Sequence, residues 1–154
     1  MRNILIIGAG KSTAQLIKYL AENAASEDLH LVIADRELEN TKRLAKEWAC
    51  AEAIQLDVAN TEARQCLVNN AAIVISMLPA RLHIEIARDC LLFKKNLVTA
   101  SYISEEMAAL NKEVTASGLI FMNEIGLDPG IDHMSAMRVI DRIRDQGGKI
   151  LLFE

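Results

Sequence analysis

The residues best suited to chemistry lie in short stretches, each directly after a run of apolar, often β-branched residues. The first is Gly8-Ala9-Gly10-Lys11-Ser12-Thr13. Between a strand and a helix, such a loop lets the chain turn sharply at Gly8. It also leaves Gly10 without a Cβ, so a pyrophosphate can approach the amides at the positive end of the helix. The third position of the dinucleotide pattern is Thr13, with Ala14 beside it, so helix and strand are expected to pack less closely than over glycine. Gly10-Lys11-Ser12-Thr13 also imitates the end of an ATP-binding P-loop. That motif requires a glycine five positions before Gly10, where Leu5 stands inside a strand, and it is rejected.

The second strand ends at Asp35, 25 residues after Gly10, where a carboxylate can accept both ribose hydroxyl hydrogens of an adenosine. The carboxylate favours NAD. Arg36 follows at once, and a guanidinium can cradle the extra phosphate of NADP, which keeps that cofactor open. Asp57 and Val58 close the third strand and are expected near the adenine, Asp57 being equally suited to cap the following helix.

Ligands of open α/β sheets lie over the carboxyl ends of the strands. The fourth strand ends Ser76-Met77-Leu78-Pro79-Ala80, where Leu78 and Pro79 can face the cofactor or simply start a helix. After the fifth comes Thr99-Ala100-Ser101-Tyr102, whose hydroxyls can hold a polar substrate or help move a proton. Ser104 has a plain capping role; Ser101 and Tyr102 have none, and are read as functional. The sixth leads into Asn123-Glu124-Ile125-Gly126-Leu127-Asp128-Pro129-Gly130-Ile131-Asp132-His133. Here Pro129 and Gly130 should present Asp128 to the cleft, while free amides near Gly130 and Ile131 meet a substrate carboxylate. An amino acid would satisfy both. His30, His83 and His133 lack metal spacing, so no metal is expected.

Something must position these loops. Candidate strands are Asn3–Ile7, Leu29–Ala34, Ala53–Leu56, Ala72–Ser76, Asn96–Thr99, Leu119–Met122 and Lys149–Phe153. Helical spacing separates them: Ala14, Ile17, Ala21 and Ala24; Leu38, Leu44, Ala45 and Trp48; Cys66 and Leu67; Ile86, Ala87 and Cys90; Met107, Leu110 and Val114; Met134, Met137, Ile140 and Ile143. Strict alternation of helices with strands apolar on both faces predicts an α/β, doubly wound parallel sheet covered on both sides. One domain, 1–154, accounts for the whole chain.

Composition agrees. With 17 basic against 21 acidic residues the net charge is -4, which offers no footprint for nucleic acid. The most apolar stretch, 71–80, is too short to span a membrane, and no secretion signal is visible, so a cytoplasmic protein is expected. Cys50, Cys66 and Cys90 form no C-x-x-C pair and are read as small buried hydrophobes in a reducing compartment.

The string Met122 to His133, with Ser76-Met77-Leu78-Pro79 and Thr99-Ala100-Ser101-Tyr102 in the same order, resembles the signature of saccharopine dehydrogenases, especially the glutamate-forming branch. The resemblance covers nearly the whole chain. It implies a dehydrogenase that passes hydride from a secondary amine to NAD(P), the resulting imine being hydrolysed to glutamate and aminoadipate semialdehyde. It further implies that Asp128 and Ser101 hold the amino-acid end of the substrate and that Tyr102 lines the reaction centre. Two departures stand out. The NADP-using branch commonly has a small neutral residue where this chain has Asp35. The family also continues into a second, substrate-binding domain, so this chain is expected to be a piece of a longer enzyme or a natural fragment, inactive alone. It should expose an apolar face that self-association could cover. The competing readings are a non-catalytic NAD(H)-sensing regulatory domain and a dehydrogenase of another carbon–nitrogen-linked amino compound, such as a carboxylated polyamine.

Overall fold

The computed structural model describes residues 1–152. Six strands form one wholly parallel sheet: β1 (Arg2–Ile7), β2 (Leu29–Asp35), β3 (Ala51–Gln55), β4 (Ile73–Ser76), β5 (Asn96–Thr99) and β6 (Phe121–Met122). Their order is β3-β2-β1-β4-β5-β6, so the winding reverses between β1 and β4. Ile7 lies opposite Ser76 across that reversal, and Ser76 opposite Thr99 on the next strand.

The helices are α1 (Thr13–Glu22), α2 (Ala24–Glu27), α3 (Leu38–Ala45), α4 (Thr61–Asn70), α5 (His83–Leu92), α6 (Glu105–Ala109), α7 (Asn111–Ala116) and α8 (Ile131–Asp145). A 3₁₀ turn, Ala80–Leu82, leads into α5. Alternate residues of each central strand feed opposite sides of the sheet. Leu5 and Ile7 join Val74, Ile86 and Leu97 in one core, while Ile4 and Ile6 join Ile17, Leu31 and Ile33 in the other. A sheet buried on both faces is what a parallel sheet with helical crossovers requires.

The doubly wound class and six of the seven candidate strands are as read from the sequence, with ends shifted by one or two residues. The seventh is not formed. Lys149 to Leu152 are irregular among the described residues, line a groove with α8, and Leu151 is 94% exposed. Phe153 lies outside the described residues. Two expected helices are each broken in two, the first at Asn23, whose amide side chain turns back onto the Tyr19 carbonyl. The cysteines also need correction: Cys90 is buried, but Cys50 is only half-buried and Cys66 is exposed on α4, where Arg64 and Val68 face inward instead. Burial pushes the Cys90 thiol up to about 12, assisted by Asp89 beside it, which leaves it chemically inert near neutrality.

Candidate cofactor and substrate site

The glycine loop crosses the top of the sheet at its reversal. Gly8 has φ +107, and a Cβ there would lie 2.7 Å from the Met77 carbonyl oxygen, so any side chain would force the β1 and β4 ends apart. At Gly10 the opposite holds: a Cβ would meet nothing within 4 Å, because the loop opens onto free space there. Thr13 is fully buried, and its hydroxyl donates to the Gly8 carbonyl at 3.0 Å. The residue in the third glycine position therefore ties the loop to the helix. At the start of α1, Ser12 makes no side-chain cap, which leaves first-turn amides available to an anion beside the exposed Lys11. Open room above Gly10 and an uncapped helix start fit a pyrophosphate.

Asp35 ends β2 beside this loop. One carboxylate oxygen accepts from the Ala9 amide at 2.7 Å and the other from the Glu37 amide at 2.9 Å. These bonds aim the carboxylate along the glycine loop and fix it there. A cleft of about 290 Å³ is lined by Asp35, Arg36, Asp57, Val58, Leu78 and Pro79, the residues expected to surround the adenosine. Arg81 lines it too. Sequence reading passed over Arg81, because only the 3₁₀ turn after Pro79 brings its side chain back to the β2 end. Asp57 does not cap α4: that is done by Asn60, whose side chain accepts from the Ala63 amide, while Asp57 accepts from Ala59 in a local turn.

The substrate candidates collect on the neighbouring loops. Ser101 and Tyr102 follow β5, and Asp128 belongs to the loop after β6. The Tyr102 hydroxyl donates to an Asp128 oxygen at 2.6 Å. That hydrogen bond to Asp128, with negative charge around it, raises the phenol to about 12, so it is protonated and a donor at neutral pH. The loop is braced by Glu124, which bonds the Ile103 amide, and by Asn123, which accepts from Thr99. Its two glycines pack against each other. Gly130 has φ +145 and a Cβ there would sit 2.6 Å from the Gly126 nitrogen. Pro129 and Gly130 are buried while Asp128 is exposed, as a turn that presents Asp128 requires.

One expectation fails here. The amides of Gly130 and Ile131 are not free: the first donates to Asp132 at 2.9 Å and the second to the Gly126 carbonyl at 3.0 Å. The loop consumes its own donors to hold its shape. Another feature was missed. Asp128, Asp132 and His133 bring ligand-type atoms within 4.8 Å of one another, although all three are exposed and each already has a partner, Tyr102 on Asp128 and His133 on Asp132. Spacing alone hid this group, because the loop folds back on itself.

A buried hydrogen-bonded chain also went unread. His83, the first residue of α5, contacts the Ser76 hydroxyl through Nδ1 and the Ser101 hydroxyl through Nε2, both at 2.8 Å.

Comparison with known proteins decides the family. The model of the saccharopine dehydrogenase NADP binding domain matches residues 4–122. The chain belongs to the saccharopine dehydrogenase family. It is 37% identical over 152 residues to saccharopine dehydrogenase [NADP(+), L-glutamate-forming] from Saccharomyces cerevisiae, covering 99% of this chain and 33% of that protein. It is 34% identical to the alpha-aminoadipic semialdehyde synthase of Arabidopsis thaliana, covering 97% of this chain and 16% of that protein. The apo structure of the yeast dehydrogenase superposes with a TM-score of 0.85 at 37% identity, over 97% of this chain and 33% of that one. A myo-inositol dehydrogenase homologue from Sinorhizobium meliloti, 18% identical with a TM-score of 0.67, shares the fold alone. The chain thus spans about a third of the yeast relative and less of the plant one. Among the described residues no helix is long and apolar enough to cross a membrane.

Proposed function

We propose that this domain binds NAD(P) for an oxidoreductase acting on the secondary amine of saccharopine, in lysine metabolism. The observation that carries the reading is spatial. The uncapped glycine loop, Asp35 and the cleft of Arg36, Asp57, Val58, Leu78 and Pro79 lie at the sheet's reversal, with Ser101, Tyr102 and Asp128 on the next loops. A bound nicotinamide would accept hydride from the substrate carbon that carries the amine. Asp128, an exposed carboxylate, would hold the substrate's ammonium, and Ser101 its carboxylate. Tyr102 would donate its hydrogen bond to Asp128 and line the reaction centre; its high pKa makes it a donor rather than a base.

For the cofactor we infer a preference for NAD(H), with NADP(H) accepted less well. Asp35 is pinned by two backbone amides where a ribose would sit, and its charge opposes a second phosphate. Arg36 and Arg81 on the same cleft supply the compensating charge that keeps NADP(H) within reach. The relatives whose names specify NADP(+) favour the opposite preference. Titration with NADH and then NADPH, followed by nucleotide fluorescence, tests both statements. The wild-type chain should saturate with either and bind NADH more tightly. Asp35→Ala should weaken NADH roughly ten- to hundredfold and strengthen NADPH, the loss of charge-assisted bonds to the ribose being worth roughly 1.5–3 kcal/mol. Binding of neither nucleotide would remove the cofactor assignment.

A non-catalytic nucleotide sensor would need the glycine loop and Asp35 but not the Asp128 loop. The loop's paired glycines and its Tyr102–Asp128 bond favour the enzyme. Where copies of this chain associate, the exposed apolar face of α8 is the surface we assign to that contact; a monomeric mass at micromolar concentration counts against it.

A further inference from the structure

Beneath the proposed substrate loops runs the Ser76–His83–Ser101 chain, in which Ser76 and His83 stand behind Ser101, away from the proposed substrate. Ser76 sits at the carboxyl end of β4 with no exposed surface, and His83 is 4% exposed at the start of α5. Ser101 is only half-buried at the end of β5. Burial lowers the His83 pKa below its ordinary 6.5, so near neutrality the ring carries one N–H and one bare nitrogen. Which nitrogen holds the proton decides what Ser101 can do.

The hydrogen bonds decide it. Among the described residues the Ser76 hydroxyl has one side-chain partner, His83 Nδ1. Were Nδ1 protonated, it would donate to Ser76 and leave the Ser76 O–H buried with nowhere to go, which is costly. With Nδ1 bare, Ser76 donates to it and is satisfied. The proton then sits on Nε2, which donates to Ser101 Oγ at 2.8 Å. Ser101, accepting from below, has its own O–H free on its exposed side.

We propose that His83 is a positioning residue for Ser101: as the Nε2–H tautomer it fills the acceptor side of the Ser101 hydroxyl and commits that hydroxyl to donate outward, to an anionic oxygen such as a substrate carboxylate. The carboxylate part rests on the functional reading above. The tautomer does not. The arrangement links the β4 end, next to the cofactor loop, to the β5 end, next to the substrate loop, through one rigid ring.

Long-range ¹⁵N–¹H correlation on the purified ¹⁵N-labelled chain at neutral pH reads the tautomer directly, with the His83→Gln variant supplying the assignment. The expected result is a bare Nδ1 and a protonated Nε2. The reverse tautomer, or an imidazolium, overturns the proposal, and this measurement needs no destabilising variant. L-glutamate then serves as the carboxylate probe, titrated in the presence of saturating nucleotide. Glutamine can accept from Ser76 and donate to Ser101, so H83Q should bind within about twofold of wild type, whereas H83L should bind about five- to tenfold more weakly. Equal affinity in all three would overturn the positioning role, and no glutamate binding by wild type would overturn the carboxylate assignment. Failure of nucleotide binding would instead fall on the oxidoreductase reading, leaving the tautomer result intact.

Discussion

A histidine held between two serines under a sheet end makes stability depend on pH. Its folded pKa lies below the unfolded value of 6.5, so the unfolded chain binds the proton more readily. The contribution is therefore fully present above about pH 6.5 and is lost as pH falls through the folded value. Thermal unfolding followed by calorimetry between about pH 5 and 8 should show the midpoint falling on the acid side, and H83Q should flatten that fall. A second residue prediction concerns the loop after β6. Gly130→Ala would place a Cβ 2.6 Å from the Gly126 nitrogen at φ +145, and the atoms it meets are backbone rather than a flexible side chain. A loss of about 2–4 kcal/mol is expected by denaturant titration, with the Tyr102–Asp128 bond broken as the loop shifts. Residues at this scale were legible in the sequence where their chemistry is local. Gly8, Gly10 and Asp35 announce themselves by position after a strand. His83 does not, because its partners lie on two other elements and nothing in its neighbourhood along the chain names them.

At the scale of elements, α4 shows what periodicity conceals. Its inward face carries Arg64, whose guanidinium bonds the Asp89 carboxylate on α5 and the carbonyl of Val58, which lines the proposed cofactor cleft, with Gln65 adding a bond to Asp89 at 2.9 Å. Both charged side chains are nearly inaccessible. A sequence reader assigns an arginine to the solvent face and Cys66 to the core; here the ion pair reverses the two. The pair fastens the β3–α4 loop, which holds Asp57 and Val58, to α5. Arg64→Ala should cost about 3–5 kcal/mol, because it leaves Asp89 buried and uncompensated. Arg64→Met combined with Asp89→Leu should recover most of that in urea unfolding while still loosening the adenosine side of the cleft, seen as weaker nucleotide binding. Equal losses in the single and double variants would show that the ion pair and its bond to the Val58 carbonyl stabilise the fold in a way apolar side chains cannot replace, and that an orphaned Asp89 charge is not the cause.

The whole molecule is unevenly knit. β1, β2, β4 and β5 lie inside the sheet with helices on both faces, and their core residues are fully buried. α8 is the longest helix, yet it buries no residue: Met134, Met137 and Val139 are 60%, 45% and 53% exposed, and the groove it forms with Lys149 to Leu152 stands open. The sequence made α8 legible as a helix, since its apolar residues recur at helical spacing, but not its position, since periodicity states which face is apolar and never what covers it. Local stability follows buried contact, so opening α8 should cost far less than opening the sheet. Hydrogen exchange followed by mass spectrometry should find the α8 amides unprotected within seconds to minutes while β1 and β4 exchange only through global unfolding. Replacing Met137 and Val139 together by Ser should leave the unfolding midpoint within about 2 °C of wild type, because little apolar area is removed from a core. Slow exchange along α8, or a midpoint lowered by much more, would mean that the helix is covered in solution, and the concentration dependence of that protection would show whether a second copy of this chain covers it.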